Sequence, residues 1–261
     1  MFISIWRHRS LVVELTKREF QGKYSGASGG AFWSFIQPLF LLTVYTLAFG
    51  VILKSRWGSN DSTAEYALML FAGLIVFNAF SEVLTRSSVL ITANPNFVKK
   101  IVFPLELLTV VTVATSLIHA FIGVAVWTLG YIVLFGVPKP SLALFPLVFL
   151  CFLPVLLGTG WLLSSVGLIF KDVSQVVGML NHTLLFLTPI FYSIEVAPPI
   201  LQKFLILNPL TIVIEQLRKC MFSGIPPDFA ALSIYFSISA IFAWLCFLLF
   251  KRLRPTFSDL I

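Results

Sequence analysis

Charged residues fall along this chain in small groups separated by long apolar runs, and the runs can be measured against a lipid bilayer. A membrane-spanning helix needs about 20 mostly apolar residues. No charge occurs between Lys23 and Lys54, and the apolar part of that gap is 31–53. A second run, 66–90, carries Glu82 and Arg86 in its last third. The runs 107–137 and 140–170 are uncharged, 173–194 lies between Asp172 and Glu195, and 229–250 lies between Asp228 and Lys251. The pattern predicts an all-α integral membrane protein with six transmembrane helices in a single transmembrane domain, 1–261.

Two segments fit no span. Over residues 1–28, apolar Leu11, Val12, Val13, Leu15 and Phe20 interleave with Arg9, Glu14, Lys17, Arg18 and Glu19. That mixture lacks the unbroken apolar core of a cleavable signal, and it predicts an amphipathic helix lying on the inner membrane surface. Residues 195–227 contain Pro198, Pro199, Pro209, Pro226 and Pro227, and Lys203, Glu215, Arg218 and Lys219 interrupt the apolar run between them. Such a segment is too broken for a lipid-facing span and too apolar for a solvated loop. Non-helical backbone at membrane depth needs protein or a water-filled cavity around it. Two short re-entrant helices broken at Asn208-Pro209, dipping in from the outer side, satisfy that condition.

Composition agrees with the pattern. Of 261 residues, 58% are hydrophobic and only 11% charged, and the mean hydropathy is +0.97. A soluble chain carries about a quarter charged residues, so too little charge is present to cover a soluble surface. The formal net charge of +7 points to basic groups held on the cytoplasmic face rather than to nucleic acid. With both termini cytoplasmic, twelve Lys and Arg residues lie inside and six outside, the decisive group being Arg7 to Lys23. The expected location is the bacterial cytoplasmic (inner) membrane.

Several chemistries are missing. The Gly22-Lys23 pair is followed by Tyr24 and lacks the upstream glycine of a phosphate-binding loop. No two of His8, His119 and His182 have metal-ligand spacing, although His119 and His182 fall inside expected spans, where an ionisable group needs a partner. Cys151, Cys220 and Cys246 are scattered and read as small apolar fillers. Acids gather at span ends, which argues against a proton-driven transporter and against a self-contained enzyme. Aromatic residues, by contrast, are dense, with 27 Phe in the chain. They suit lipid contact and interfacial belts, or a surface on which the C–H faces of sugar rings slide.

Four strings carry a resemblance. LVVELTKREFQGKYSGASGGAFWSFIQPLF, with Trp33 and Pro38 five apart, NPNFVKKIVFPLELL, IFKDVSQVVGMLNHTLLFLTPIFYSIEVAPP and FLILNPLTIVIEQLRKCMFSG resemble, in order, successive segments of the polysaccharide-export permeases of the ABC transporter superfamily. One departure is Lys171 before Asp172, where arginine is commoner; the charge is kept but a bidentate partner is lost.

The resemblance implies a half-channel that works as a homodimer with two copies of a separate ATP-binding cassette ATPase. ATP and Mg would be bound by that partner, with no cofactor or metal in this chain. The substrate implied is a lipid-linked or lipid-terminated polysaccharide such as an O-antigen, capsule or teichoic acid, moving among membrane lipids. The expected substrate conduit uses Trp33, Tyr45, Phe191 and Tyr192. ATPase coupling is expected of Asn94, Phe97, Lys99, Lys100, Lys171 and Asp172, and the outer gate of Asn208, Pro209, Glu215 and Arg218. In the coupling loop, Asn94-Pro95 should stop a helix, Phe97 offers an apolar knob with Lys99 and Lys100 as its rim, and Phe103-Pro104-Leu105-Glu106 should restart one. A drug or small-lipid exporter permease of the same architecture, and a membrane scaffold without transport, remain as alternatives.

Overall fold

A computed structural model describes residues 6–25, 29–52, 63–99 and 103–260, and every regular element among them is helical. In chain order the α-helices are α1 (Arg9–Lys23), α2 (Trp33–Tyr45), α3 (Thr63–Ser87), α4 (Pro95–Val98), α5 (Glu106–Phe135), α6 (Phe145–Ile169), α7 (Val173–Phe186), α8 (Pro199–Leu207), α9 (Pro209–Arg218) and α10 (Phe229–Leu253), with short 3-10 or π-helical stretches between some of them. Among the described residues, four segments are long and apolar enough to cross a bilayer: Thr63–Ser87, Glu106–Phe135, Pro140–Ile169 and Phe229–Phe257. The first apolar run forms α2 and continues as a π-helical stretch, Thr46–Ile52.

α3 is the axis of the molecule. It packs against α5, α6, α7 and α9, and residues Tyr66 to Phe77 are buried without interruption. A helix apolar on every side belongs in a core. α10 is equally apolar yet packs mainly along the flank of α6, leaving Ile234, Ile238 and Trp244 exposed on its other side.

Because lipid tails offer no hydrophobic drive, helices in a membrane associate through close packing at small residues and through polar contacts. Both devices are present. A side chain at Gly158 would meet the Ala243 backbone at 3.0 Å, and one at Gly167 would overlap the Ser88 carbonyl; these glycines let α10 and the end of α3 lie against α6. The buried indoles of Trp127 and Trp161 donate to the carbonyls of Leu68 (2.9 Å) and Glu106 (3.2 Å), tying α5 to α3 and α6 to α5.

Two expected boundaries move. The run 173–194 is not one helix: α7 has 14 residues, about 21 Å at 1.5 Å per residue, and the chain turns irregularly after Phe186. Thr188 precedes Pro189, and the proline ring disfavours helical backbone in the residue before it. Asn94-Pro95 does not stop α3, which already ends at Ser87; Pro95 opens α4 instead, at the first-turn position where its missing N–H costs nothing. The break at Asn208-Pro209 is where α8 and α9 meet, bent by 93°.

Candidate functional site

Contacts sort the expected functional residues to two ends of the bundle. At one end lie the C-termini of α3, α6 and α10 and the N-termini of α5 and α7. Asn94 Nδ2 donates to Leu90 O (2.9 Å), closing the turn that leads into α4. The Phe97 ring lies 4.5 Å from that of Phe103 and is half-buried against the core, so one face of this apolar group is covered by the chain itself. Lys99 is exposed, and Lys100 lies outside the described residues. Lys171 and Asp172 are exposed at the start of α7, where the Asp172 carbonyl accepts from Gln175 N and Val176 N. A groove of about 390 Å³ lined by Ser88, Val89, Thr92, Gly167 and Lys171 joins the two sets. The groove thus sets Lys171, from one string, beside the 88–92 turn that leads into Asn94 and Phe97 of another, on one surface of the bundle.

The base of that surface is braced by Arg254, which donates to Glu106 Oε2 (3.3 Å) and to Phe103 O (3.1 Å). The C-terminal turn thereby grips the start of α5.

At the opposite end, α9 is stitched to the bundle by Arg218. Its guanidinium is buried and donates to Met69 O (3.0 Å), Pro189 O (2.8 Å) and Ile190 O (3.0 Å), with Glu215 Oε1 at 3.3 Å. Gly73 makes the room: a side chain there would meet Arg218 Nη2 at 2.8 Å. Asn208 caps α9 by accepting from Leu210 N (2.9 Å), and its amide donates to Thr188 Oγ1 (2.8 Å) and Leu187 O (3.2 Å). The exposed Pro209 carries a carbonyl that accepts from Tyr235 OH (3.0 Å). The four residues expected at an outer gate thus tie α9 to α3, α10 and the 187–190 turn.

Three of the four expected conduit aromatics meet nearby. The Tyr45 and Phe191 rings are 5.8 Å apart, Phe186 lies 5.8 Å from Phe191, and Tyr192 OH donates to Phe186 O (3.0 Å). Tyr66 OH donates to Phe191 O (2.9 Å), fixing the turn to α3. Trp33 is separate, exposed at the start of α2, twelve residues and about 18 Å from Tyr45.

The ABC-2 type transporter family model matches residues 10–222 of this chain. The chain belongs to that family. It is 23% identical to the O-antigen export system permease protein RfbA of Myxococcus xanthus over 98% of this chain and 96% of the relative. It is also 22% identical to an O-antigen export system permease protein RfbA of Klebsiella pneumoniae over 96% of this chain and 95% of that relative.

One cluster in this ABC-2 transporter chain escaped the sequence reading. Glu82, on α3, receives Lys23 Nζ from α1 (3.0 Å) and Arg86 Nη1 (3.2 Å) on Oε1, and Oε2 lies 2.7 Å from His119 Nδ1 of α5. His119 Nε2 in turn lies 3.3 Å from Tyr24 OH; a proton on Nδ1 satisfies both contacts, leaving Nε2 to accept from the tyrosine. Arg86 also pairs with Glu19 of α1. Burial pushes the Glu19 carboxyl above its ordinary pKa, Arg86 pulls it back in part, and Glu82 adds to the rise. Burial likewise raises the Tyr24 phenol, helped by Glu82. The signal available in the sequence was ionisable Glu82, Arg86 and His119 inside expected spans; that they meet one another and α1 is a tertiary fact. His182 is exposed on α7 and takes no part in this cluster.

Proposed function

We propose that this chain is the membrane subunit of an ATP-driven exporter that carries lipid-linked or lipid-terminated polysaccharide, such as an O-antigen, capsule or teichoic acid, across the bacterial cytoplasmic membrane. It works as a homodimer with two copies of a separate ATPase that binds the ATP and Mg. The observation that carries this reading is the similarity to O-antigen export permeases along nearly the full length of both chains.

In this reading there are six spans. α2 with its π-helical continuation is the first, α3, α5 and α6 are the next three, α7 with the following turn is the fifth, and α10 is the sixth. Both termini face the cytoplasm, and α8 and α9 form a re-entrant pair on the outer side. The surface of residues 88–99 with Lys171 and Asp172 meets the ATPase, and α1 lies along the inner membrane surface. ATP-driven closure of the ATPases displaces that surface, and α3, packed against both ends, transmits the movement. The polymer passes between the two copies, with Trp33 at the inner end and Tyr45, Phe191 and Tyr192 at the outer, where aromatic faces let sugar rings slide. Asn208, Pro209, Glu215 and Arg218 hold the outer gate.

Deleting the gene in its own host tests the reading. Lipid-linked glycan should accumulate inside the cell and return to the surface when the chain is restored. A glycan surface unchanged by the deletion overturns the proposed substrate. Phe97→Asp should weaken co-purification with the ATPase, since a carboxylate against Phe103 would also face the partner; undiminished assembly and export would remove Phe97 from the coupling surface.

A further inference from the structure

Between α1, α2, α3 and α5 lies a cavity of about 750 Å³, inside the roughly 300–1,000 Å³ typical of small-molecule sites. It exists because α2 leans on α5 and barely touches α3. The exposed Gly22, Lys23 and Gln37 stand at its rim, so it opens to the outside between α1 and α2.

The cavity has a polarity gradient. On α3 its lining runs from Arg86 and Glu82 through Asn78 to Ile75 and Phe71, one helix face about 22 Å long. On α2 it runs in parallel from Ser34 and Gln37 to Leu41. One end is charged, the middle is polar and the far end is apolar.

The gradient matches the depth of the bilayer. α5 has 30 residues, about 45 Å, against a hydrocarbon core of about 30 Å. From Leu117 to Phe135, about 28 Å, His119 near the start and Thr128 are its polar side chains apart from the aromatic Trp127 and Tyr131, whereas the preceding turns carry Glu106, Thr109, Thr112, Thr115 and Ser116. The membrane surface therefore falls near His119, at the level of the Glu82 cluster. A ligand filling this cavity has its polar group at headgroup level and its tail in the hydrocarbon.

The charges select among lipids. Lys23 and Arg86 offer three and five donors, of which their contacts among the described residues use one and two. A phosphate can take the rest. Glu82 and Glu19 balance the two cations, so a purely anionic headgroup gains little, while an ammonium finds two carboxylates and the Asn78 and Gln37 carbonyls as acceptors. We infer that this cavity binds one zwitterionic phospholipid of the phosphoethanolamine class, its phosphate on Lys23 and Arg86 and its ammonium on Glu82 and Glu19. The lipid would then fill the space between α1 and the bundle. This assignment stands whatever the exporter carries.

Native mass spectrometry of the full purified chain tests it, with phosphatidylethanolamine, phosphatidylglycerol, phosphatidylcholine and undecaprenyl phosphate added in turn at equal concentration. One phosphatidylethanolamine per chain should be retained, about tenfold more tightly than the others, the factor that one charge-assisted hydrogen bond supplies. Gly22→Trp should abolish retention while leaving thermal stability unchanged, because a side chain at Gly22 meets nothing within 4 Å and the indole would plug the rim. Should that variant prove unstable, Lys23→Met serves the same purpose by removing one phosphate donor from a half-exposed position, and retention should fall about tenfold. Equal or tighter binding of phosphatidylglycerol or undecaprenyl phosphate would overturn the zwitterionic assignment, and equal binding of phosphatidylcholine would overturn the hydrogen-bonded ammonium. Retention unaffected by both variants, or no retained lipid at all, would overturn the site.

Discussion

Glu82 and Arg218 are both charged groups inside the helical bundle, and they are satisfied in opposite ways. Arg218 donates to the backbone carbonyls of Met69, Pro189 and Ile190, which cannot leave unless the main chain moves. Glu82 is held by the side chains of Lys23, Arg86 and His119, two of them long, partly exposed and free to change rotamer. The first arrangement fixes the 187–190 turn to α3 and α9. The second is a joint through which α1 can shift against α3 and α5 while every charge keeps a partner.

The comparison breaks most easily at Arg218. Arg218→Met removes the donor for three buried carbonyls, each costing about 1–3 kcal/mol when left unpaired, partly offset by the loss of a desolvated charge. A net loss of about 3–5 kcal/mol is expected, the range for breaking a buried charged contact, read as a lower detergent melting temperature and low membrane abundance. Arg218→Lys should rescue only part of it, because an ammonium cannot reproduce the fork that spans three carbonyls. Wild-type melting of the Met variant would show that Arg218 fixes nothing.

Gly73→Ala attacks the same contact from α3. The added methyl would sit 2.8 Å from Arg218 Nη2, and the guanidinium cannot retreat without losing a carbonyl. The expected cost is about 1–3 kcal/mol, as for other overpacked sites. Gly178→Ala, with nothing within 4 Å of the new methyl, should instead be neutral or gain up to about 1 kcal/mol of helix propensity. Equal melting temperatures for the two variants would refute the close fit.

Glu82→Gln should cost less, about 1–2 kcal/mol, since the amide still accepts hydrogen bonds and Lys23 and Arg86 can turn toward water. Salt sharpens the contrast. Raising NaCl from about 0.05 to 1 M shortens the screening length from more than 10 Å to about 3 Å, and should loosen α1, measured by protease cleavage between α1 and α2, without altering the Arg218 end. Salt-independent cleavage would mean that Glu82 is no joint.

The smallest effect concerns pH. Folding raises the Glu19 carboxyl above its ordinary value of 4.5, chiefly through burial, so the folded state holds that proton more tightly than the unfolded one. Its contribution is therefore lost as pH rises from the ordinary carboxylate range through the raised value. Glu19→Gln should flatten the pH dependence of melting in that window; an unchanged slope would assign it to another group.

The legible parts of this fold were those written over twenty or more consecutive residues. α3, α5, α6 and α10 follow from long apolar runs because a bilayer admits little else, and the bend at Asn208-Pro209 follows because proline removes an N–H and crowds the residue before it. Less legible was 173–194, an uncharged run like the others but one that carries Gln175, Asn181 and His182, in which a helix stops at Phe186 and a turn is held by Arg218 from α9 and Tyr66 from α3. Apolar length predicts that a segment enters the membrane, but a distant donor can replace the helix's own hydrogen bonds.

The candidate site divides along the same line. In the sequence, the expected coupling residues, the expected gate residues and the expected conduit aromatics stand in separate strings along the chain. Folding joined Thr92 to Lys171 in one groove, set Tyr45 beside Phe191, and left Trp33 apart. By itself the sequence determined that this is a helical membrane protein with no phosphate-binding loop in the chain, and that the chain bends at Asn208-Pro209, because those properties rest on local composition and backbone stereochemistry. Only the tertiary structure decided which charge meets which, since Lys23, Glu82 and His119 are far apart along the chain and a buried charge is satisfied by whatever partner packing brings within reach.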